Sequence, residues 1–255
     1  MSPAAITWGD ADWALFLDVD GTLLEIAETP QAVRVSEGLK ELLSQLSSKL
    51  DGALALVSGR SLADLDALFA PLRLCAAGVH GCERRDVQGS LVRTAIDRTQ
   101  IVAARAALER FIRQHEGLLL EDKGISLAVH FRRAPDLAPL VQAELAQICA
   151  QLGSTFAVQA GKCVFELRPA HCTKGQSIAA FMRQPPFSGR VPVFLGDDVT
   201  DEDGFAIVNQ MGGLSIRVGG PATTLAQQRL PSVSQAIAWL REMAAGLRPT
   251  VRSDS

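Results

Sequence analysis

The sequence has little that would place the chain in a membrane, outside a cell or on a nucleic acid. No apolar run approaches the roughly 20 residues that span a bilayer, and Met1 to Asp12 lacks the basic and apolar stretches of a signal peptide. Charge of one sign is also missing, because the net charge is only −3. No long-range attraction to nucleic acid or to an anionic membrane is therefore expected.

Cysteine forms no recognisable framework either. The chain has five cysteines, an odd number, and their spacing fits neither a zinc site nor a disulfide pattern. This absence suits a reducing cytoplasm, which is the expected location. What is present is typical of a globular protein, since 47% of the 255 residues are apolar and 21% are charged.

The first part of the chain alternates strand-like and helix-like segments. Strands are predicted at Trp13 to Leu17, Gly52 to Val57 and Leu72 to Ala77, because each is a short apolar run bounded by turn residues. Ser36 is a predicted helix cap that precedes leucines at helical spacing. The alternation indicates an α/β fold with a parallel sheet.

The pattern changes at about Arg84. Up to Arg168 the order is helix, strand, strand, repeated once, which is typical of an antiparallel sheet covered by two helices on one face. The first pattern then returns, with strands at Val191 to Leu195 and Leu214 to Val218. We therefore predict a catalytic core of residues 1–83 and 169–255, with an α+β cap of residues 84–168 inserted in it.

Carboxylates follow two of the predicted core strands. Asp18 and Asp20 come directly after the first strand, and an acidic cluster begins at Asp197, after the strand that ends at Leu195. Because α/β proteins bind ligands at the carboxyl ends of parallel strands, we expect these groups to converge. Neighbouring carboxylates repel each other unless a cation relieves them, and Mg²⁺ prefers such oxygens. The alternatives are an ordinary turn and an acidic helix start.

Two further polar residues favour an anion site. Ser58 ends the second strand, where its hydroxyl and the following amides can donate to a phosphoryl oxygen. Lys174 begins a predicted helix, where its charge opposes the helix dipole unless an anion compensates it. For Ser58 the alternative is a common helix cap.

These residues resemble the four motifs of the haloacid dehalogenase-like (HAD) superfamily, in the expected order. The resemblance implies a Rossmann-like HAD core in which Asp18 is a nucleophile that becomes aspartyl-phosphate and Asp20 is the general acid and base. It also implies Mg²⁺ as cofactor, held by Asp18, the Asp20 carbonyl and Asp197, while Asp201 and Asp198 compete for a further place. Ser58, Lys174 and the amides near Gly21 and Thr22 would balance the phosphate charge.

Strand alternation predicts two unlike faces for the sheet of the cap. Leu127, Val129 and Phe131 share an apolar face, whereas His130 and Arg132 lie on the other. A solvated face is the ordinary explanation for the polar side. Above a phosphate site, the same face could bind sugar hydroxyls and exclude water.

The resemblance extends to one family and to nearly the whole chain. The motifs are Asp-Val-Asp-Gly-Thr-Leu at 18–23, Ser-Gly-Arg at 58–60, Gly-Val-His-Gly-Cys-Glu at 78–83, Lys-x6-His-x-Arg at 123–132, Glu-Leu-Arg-Pro at 166–169, Lys-Gly at 174–175 and Gly-Asp-Asp-Val-Thr-Asp-Glu at 196–202. They are similar to those of bacterial trehalose-6-phosphate phosphatases. Two departures are Phe131, where Tyr is usual, and Cys82, where a small residue is usual.

This family resemblance implies a substrate and residues that bind it. Trehalose 6-phosphate would be hydrolysed to trehalose and phosphate, the last step of trehalose biosynthesis, by a cytoplasmic monomer whose only expected partner is this small sugar phosphate. The residues implied in binding it are Lys123, His130, Arg132 and Glu166 in the cap and Gly21, Thr22 and Asp198 in the core. Arg60, His80 and Glu83 either touch the substrate or brace a loop.

Two rival functions share most of these features. Another capped HAD sugar phosphatase or a phosphohexomutase would use the same core chemistry, because specificity resides in the cap. A catalytically silent sugar-phosphate sensor would keep the fold but has no need of an acid and base at Asp20.

Overall fold

The computed structural model describes residues 12–26, 33–95, 97–161, 163–220 and 223–246, which form two β-sheets flanked by helices. In chain order the strands are β1 (Trp13–Leu17), β2 (Leu54–Val57), β3 (Cys75–Gly78), β4 (Glu83–Arg85), β5 (Leu91–Arg93), β6 (Leu119–Asp122), β7 (Leu127–His130), β8 (Phe156–Gly161), β9 (Val164–Pro169), β10 (Val191–Gly196), β11 (Leu214–Val218) and β12 (Gln228–Leu230). The α-helices are α1 (Glu37–Lys49), α2 (Leu62–Phe69), α3 (Arg98–Arg113), α4 (Ala138–Leu152), α5 (Lys174–Phe181), α6 (Glu202–Gln210) and α7 (Val233–Gly246).

The large sheet has the strand order β12-β11-β10-β1-β2-β3-β4-β5. The strand pairs from β12 to β3 are parallel, and the pairs β3–β4 and β4–β5 are antiparallel. The chain leaves β1 toward β2 and later returns to β10 on the other side, so the strand order reverses at β1. Ligand crevices of α/β proteins lie at this kind of reversal, beyond the carboxyl ends of the strands.

The helices of the large sheet form where the sequence pattern predicts them. The Ser36 side chain accepts a hydrogen bond from the Leu39 amide and caps α1, whose leucines at helical spacing are buried against the sheet. In β1, every residue after Trp13 is buried, as expected for a central parallel strand. Among the described residues, no helix is long and apolar enough to cross a membrane.

The small sheet is antiparallel, with the order β6-β7-β9-β8. Helices α3 and α4 contribute to the core on its apolar face, where Leu127, Val129 and Phe131 pack with Leu108 and Val141. The predicted alternation is therefore confirmed, and so is the fold class of an α/β core with an α+β cap. We call the unit built on the small sheet the cap.

Strands β4 and β5 were not predicted from the sequence. They extend the large sheet at one edge, although the predicted cap already begins at Arg84. Each has three residues, and the side chains of β5 are exposed. Strands so short and exposed show no hydrophobic periodicity, so the sequence gives no signal for them.

The expectation that cysteine forms no disulfide was wrong for one pair. Cys82 and Cys172 form a disulfide, whereas Cys75, Cys149 and Cys163 are free thiols. The partners lie 90 residues apart, on either side of the inserted cap. Spacing along the sequence therefore gave no sign of the pair, because only folding of the core and cap brings these two segments together.

Candidate active site

The predicted carboxylates meet at the carboxyl ends of β1 and β10. These strands pair in parallel with Leu17 opposite Leu195, and the Asp18 amide donates to the Leu195 carbonyl over 2.9 Å. Asp18 and Asp197 therefore leave neighbouring strands at the same edge of the sheet. Ser58 follows β2 on the other side of β1 and is also buried.

Asp18, Asp197 and Asp201 form a buried group that we call the carboxylate triad. Each offers a carboxylate oxygen, and these three oxygens lie within 4.8 Å of one another. Gly21 has a φ of +84°, and a Cβ there would overlap the Asp197 carboxylate. Glycine thus lets the backbone close over the triad. A set of hard oxygen ligands around so small a space fits a divalent cation such as Mg²⁺.

Lys174 is the cation that contacts the triad in this structure. Its ammonium group donates to Asp18 and to Asp201, each over 2.7 Å. Burial opposes the charged form of Lys174, but the two carboxylates raise the pKa of Lys174 above its usual value. Burial also raises the pKa of Asp18, and repulsion from Asp201 and Asp197 adds to this despite Lys174. The contact with Lys174 therefore does not bring the pKa of Asp18 back to its usual range.

Asp201 organises the loop after β10. Its second oxygen accepts the amide protons of Asp197 and Asp198 over 3.0 and 2.9 Å. The Asp198 carboxylate instead accepts from the Val199 amide and caps the short 3₁₀ turn Val199–Asp201. The geometry therefore places Asp201 in the triad and Asp198 on the wall of the neighbouring cavity.

Asp20 is held by Arg60. The guanidinium donates to both carboxylate oxygens, with two distances of 2.7 Å. Burial alone would lower the pKa of Arg60, but the contact with Asp20 raises it. Such a bidentate pair fixes the orientation of the Asp20 side chain.

A second buried cluster surrounds Glu166, and we call it the Glu166 cluster. Lys123 donates to Glu166 over 2.9 Å and Ser126 donates over 2.6 Å, while His80 Nε2 lies 3.2 Å away. Burial opposes ionisation of Glu166, but Lys123, His80 and the hydrogen bonds hold its pKa below the usual range. Burial lowers the pKa of His80 despite its carboxylate partner. His80 belongs to the core, so this cluster joins the core to the cap.

Glu121 was missed by sequence reasoning. Its carboxylate lies 2.8 Å from His130 Nε2, and hydrogen bonding to His130 together with Lys123 lowers the pKa of Glu121 despite burial. The signal was available, because Glu121 lies on β6 two residues before Lys123, which directly follows the strand, and side chains two residues apart along a strand point to the same side.

A cavity of about 210 Å³ lies between the core and the cap. Twelve of the predicted site residues line it: Asp18, Asp20, Ser58, Arg60, His80, Lys123, His130, Arg132, Glu166, Lys174, Asp197 and Asp198. The sequence missed a further part of the wall, which consists of Ile26, Val33, Gly59, Glu121, Gln159, Ala160, Gly161, Val164 and Thr200.

Four predicted site residues are not among the lining residues. Asp201 lies behind the cavity in the triad, Gly21 closes over Asp197, and the Thr22 hydroxyl donates to Asp18 over 3.1 Å. Glu83 is placed differently, because its carboxylate accepts from the Leu62 amide at the start of α2 and pairs with Arg93. Glu83 therefore braces a helix terminus and an edge strand.

Comparison with known proteins identifies the family. A family model described as trehalose-phosphatase matches residues 16–230, which is most of the chain. The chain belongs to the trehalose-phosphatase family. Trehalose-6-phosphate phosphatase of Escherichia coli (strain K12) is 45% identical over 250 residues, covering 96% of this chain and 92% of that protein. A probable trehalose-phosphate phosphatase of Sinorhizobium fredii is 48% identical over 240 residues, covering 92% and 88%.

Solved structures agree with this family assignment. The C-terminal domain of Candida albicans trehalose-6-phosphate phosphatase superposes with a TM-score of 0.82 at 25% identity, covering 92% of this chain and 93% of that one. A haloacid dehalogenase-like hydrolase from Bacillus subtilis has a TM-score of 0.62 at 15% identity, covering 90% and 98%, and supports the HAD fold alone. The named family members are phosphoric monoester hydrolases.

Proposed function

We propose that this member of the trehalose-phosphatase family hydrolyses trehalose 6-phosphate to trehalose and inorganic phosphate. The main support is the cavity, which joins a buried carboxylate and lysine site to a polar face of the cap. The first can take a phosphoryl group, and the second offers fixed donors and acceptors for sugar hydroxyls. Relatives that are 45% and 48% identical carry the name of this activity.

Asp18 is the proposed nucleophile. Its carboxylate attacks phosphorus, and the bond between phosphorus and the sugar oxygen breaks to leave an aspartyl-phosphate. The Thr22 hydroxyl and Lys174 contact different oxygens of Asp18 and fix its direction of attack. Ser58 and Lys174 would stabilise the charge on the phosphoryl oxygens. The Gly21 and Thr22 amides, expected from the sequence to join them, instead donate to the carbonyls of Leu24 and Val19.

Asp20 is the proposed general acid and base. It gives its proton to the departing sugar oxygen in the first step and removes a proton from the attacking water in the second. Arg60 holds both oxygens of Asp20, so we propose that Arg60 sets the position from which Asp20 works. In this role Arg60 needs no contact with the substrate.

Mg²⁺ is the proposed cofactor. The residues that would hold it are Asp18 and Asp197 through carboxylates and Asp20 through its carbonyl, with Asp201 beside them. When bound, the ion would neutralise the anionic charge of nucleophile and phosphate. The carboxylate triad supports this, since its three carboxylate oxygens lie within 4.8 Å of one another, the kind of hard-oxygen site that Mg²⁺ prefers.

The cap is proposed to bind the sugar. Lys123, Glu166, His130 and Arg132 would take the disaccharide, and Glu121 would orient His130. Closure of the cap over the phosphate would also exclude bulk water. The boundaries of the cap at residues 84 and 168, a cytoplasmic location, a monomeric state and the place at the end of trehalose biosynthesis stay predictions.

Phosphate release tests the proposal. The purified protein is given trehalose 6-phosphate, glucose 6-phosphate or sucrose 6-phosphate, each with Mg²⁺ and with a chelator. Rapid release from trehalose 6-phosphate alone, lost on chelation, is expected. Equal turnover of the other two esters would favour a different capped sugar phosphatase, and binding without turnover would favour a sensor.

A further inference from the structure

The disulfide links the two segments through which the chain enters and leaves the cap. Cys82 precedes β4, and Cys172 follows β9, so the closed loop contains the whole cap. Both side chains are buried, at 1% and 2% exposure, and they pack with Val79 and Ile125. A covalent link here restricts how the two passages move relative to each other.

Each cysteine is two residues from a polar residue of the cavity. Cys82 follows His80, which reaches the Glu166 cluster, and Cys172 precedes Lys174, which reaches the carboxylate triad. The turn around His80 also packs against the start of α5, because a Cβ on Gly81 would overlap Ser177 and the Thr173 carbonyl. The disulfide therefore lies between the segments that carry His80 and Lys174.

The segment on the His80 side is strained, and the one on the Lys174 side is not. Val79 and His80 have φ values of +48° and +52°, and the left-handed region is costly for a β-branched residue. Amide contacts from Val79 to the Arg60 carbonyl and from His80 to the Ser58 carbonyl hold this turn, together with the disulfide. Lys174 is fixed by two ion pairs within a regular helix. Loss of the disulfide should therefore loosen His80 first.

We propose that Cys82 and Cys172 are a thiol–disulfide regulatory site, which in its oxidised form holds the His80 turn against Glu166 and in its reduced form releases it. His80 is a positioning residue in this scheme, acting through Glu166. The consequence for sugar binding rests on the proposed function. Phosphoryl transfer at Asp18 and Lys174 does not depend on the Cys82–Cys172 disulfide.

The exchange is a two-electron reaction with a thiol. A small dithiol attacks one sulfur, the Cys82–Cys172 bond breaks, and a second attack leaves two protein thiols and the oxidised cyclic dithiol. A small disulfide reverses the reaction. Thr94 Oγ1 lies 3.4 Å from Cys172 Sγ and can donate to it, which favours Cys172 as the thiolate that leaves first.

The first test counts thiols and follows the turn. Alkylation after denaturation should modify three cysteines in the oxidised protein and five after treatment with dithiothreitol. Amide hydrogen exchange of the native protein should become faster at residues 79–83 on reduction. Five modified cysteines before reduction, or unchanged exchange in this turn, would overturn the proposal whatever the substrate is.

The second test separates sugar binding from phosphate chemistry. On reduction, the KM for trehalose 6-phosphate should rise about tenfold, the effect of one misplaced charge-assisted hydrogen bond, whereas turnover of p-nitrophenyl phosphate should be unchanged. The double variant Cys82→Ser with Cys172→Ser should behave like reduced protein in both redox states. Cys149→Ser is the matched control and should keep the full redox response.

The outcomes distinguish this proposal from the proposed function. A KM that is the same in both redox states would overturn the regulatory role. If neither form hydrolyses trehalose 6-phosphate but reduction still accelerates exchange at residues 79–83, the proposed substrate is wrong and the redox site stands.

Discussion

Two buried groups of charge face the same cavity, and they are balanced in different ways. The carboxylate triad brings three carboxylates together, and Lys174 pairs with two of them, Asp18 and Asp201. The Glu166 cluster has one carboxylate with a lysine, a histidine and a hydroxyl around it. The triad is a set of like charges that a cation from solution can join, whereas both oxygens of the Glu166 carboxylate already accept hydrogen bonds from Lys123 and Ser126. This contrast suits a core for phosphate chemistry and a cap for recognition.

The pKa shifts of the two groups run in opposite directions for the same reason. Asp18 gains too little positive charge to offset burial and its acidic neighbours, so its pKa is raised. Glu166 has enough partners to overcome burial, so its pKa is lowered. Burial alone therefore does not decide the charge of a carboxylate here, and the number of donors does.

Asp18→Asn gives the largest expected effect, because it removes the proposed nucleophile. Turnover of trehalose 6-phosphate should fall by about 10⁴-fold or more, as measured by phosphate release. The variant should fold as well as the original protein, since the amide relieves repulsion within the triad while Lys174 keeps Asp201. Retained turnover in a folded variant would remove Asp18 from this role.

Lys174→Met tests whether the triad needs a cation to be stable. Removing one partner of a buried charge pair typically costs about 3–5 kcal/mol in the free energy of unfolding. Urea unfolding without metal should show this loss, and Mg²⁺ should restore part of it by binding the folded state.

The control for this change is Lys40→Met. Lys40 is half-buried, pairs with the exposed Glu37 over 2.9 Å and donates to the Ala70 carbonyl, and an ion pair with an exposed partner is worth about 1 kcal/mol or less. The free energy of unfolding of Lys40→Met should therefore fall only slightly, and Mg²⁺ should not change it. Equal effects of Mg²⁺ on both variants would contradict a metal site at the triad.

Glu166→Gln tests the recognition role of the other group. The KM for trehalose 6-phosphate should rise about tenfold, because the amide no longer pairs with Lys123 as a carboxylate does. Turnover of p-nitrophenyl phosphate should stay unchanged, since this ester has no sugar for the cap to bind. A loss of both activities would mean that Glu166 supports the core rather than the sugar.

The pH dependence of the free energy of unfolding compares Glu166 and Asp18 directly, with the smallest expected effect. The lowered pKa of Glu166 gives stability that is present above the unfolded value of about 4.3 and is lost as the pH falls below it. The pKa of Asp18 is raised, so its contribution to stability changes with pH in the opposite direction. Protonation of Asp18 as the pH falls relieves the repulsion within the metal-free triad. Between about pH 5 and pH 3, Glu166→Gln should therefore flatten the fall in stability and Asp18→Asn should steepen it. If the free energy of unfolding, measured in urea, changed equally with pH in the two variants, the opposite pKa shifts of Glu166 and Asp18 would be contradicted.

Local pattern was enough for much of the fold. Three correct predictions depend only on residues close in sequence. They are the apolar runs of β1 and β2, the N-cap residue Ser36 of α1 and the alternation from Leu127 to Phe131. Where the local pattern is weak, as in the three-residue strands β4 and β5, no strand was predicted. The spacing of Glu121 to Lys123 was a local signal for its side of the strand, but its contact with His130, nine residues away on β7, is visible only in the folded sheet.

Residues close in sequence were enough to locate the main strands of the core, to order the carboxylates and the lysine along the chain and to reveal the resemblance to one family, because these are local properties or motifs. Folding was needed to show that Asp201 rather than Asp198 joins the triad, that Glu83 braces α2 and that Cys82 meets Cys172. These outcomes depend on side chains brought together by folding of the core around the cap. No spacing in the sequence encodes such distances.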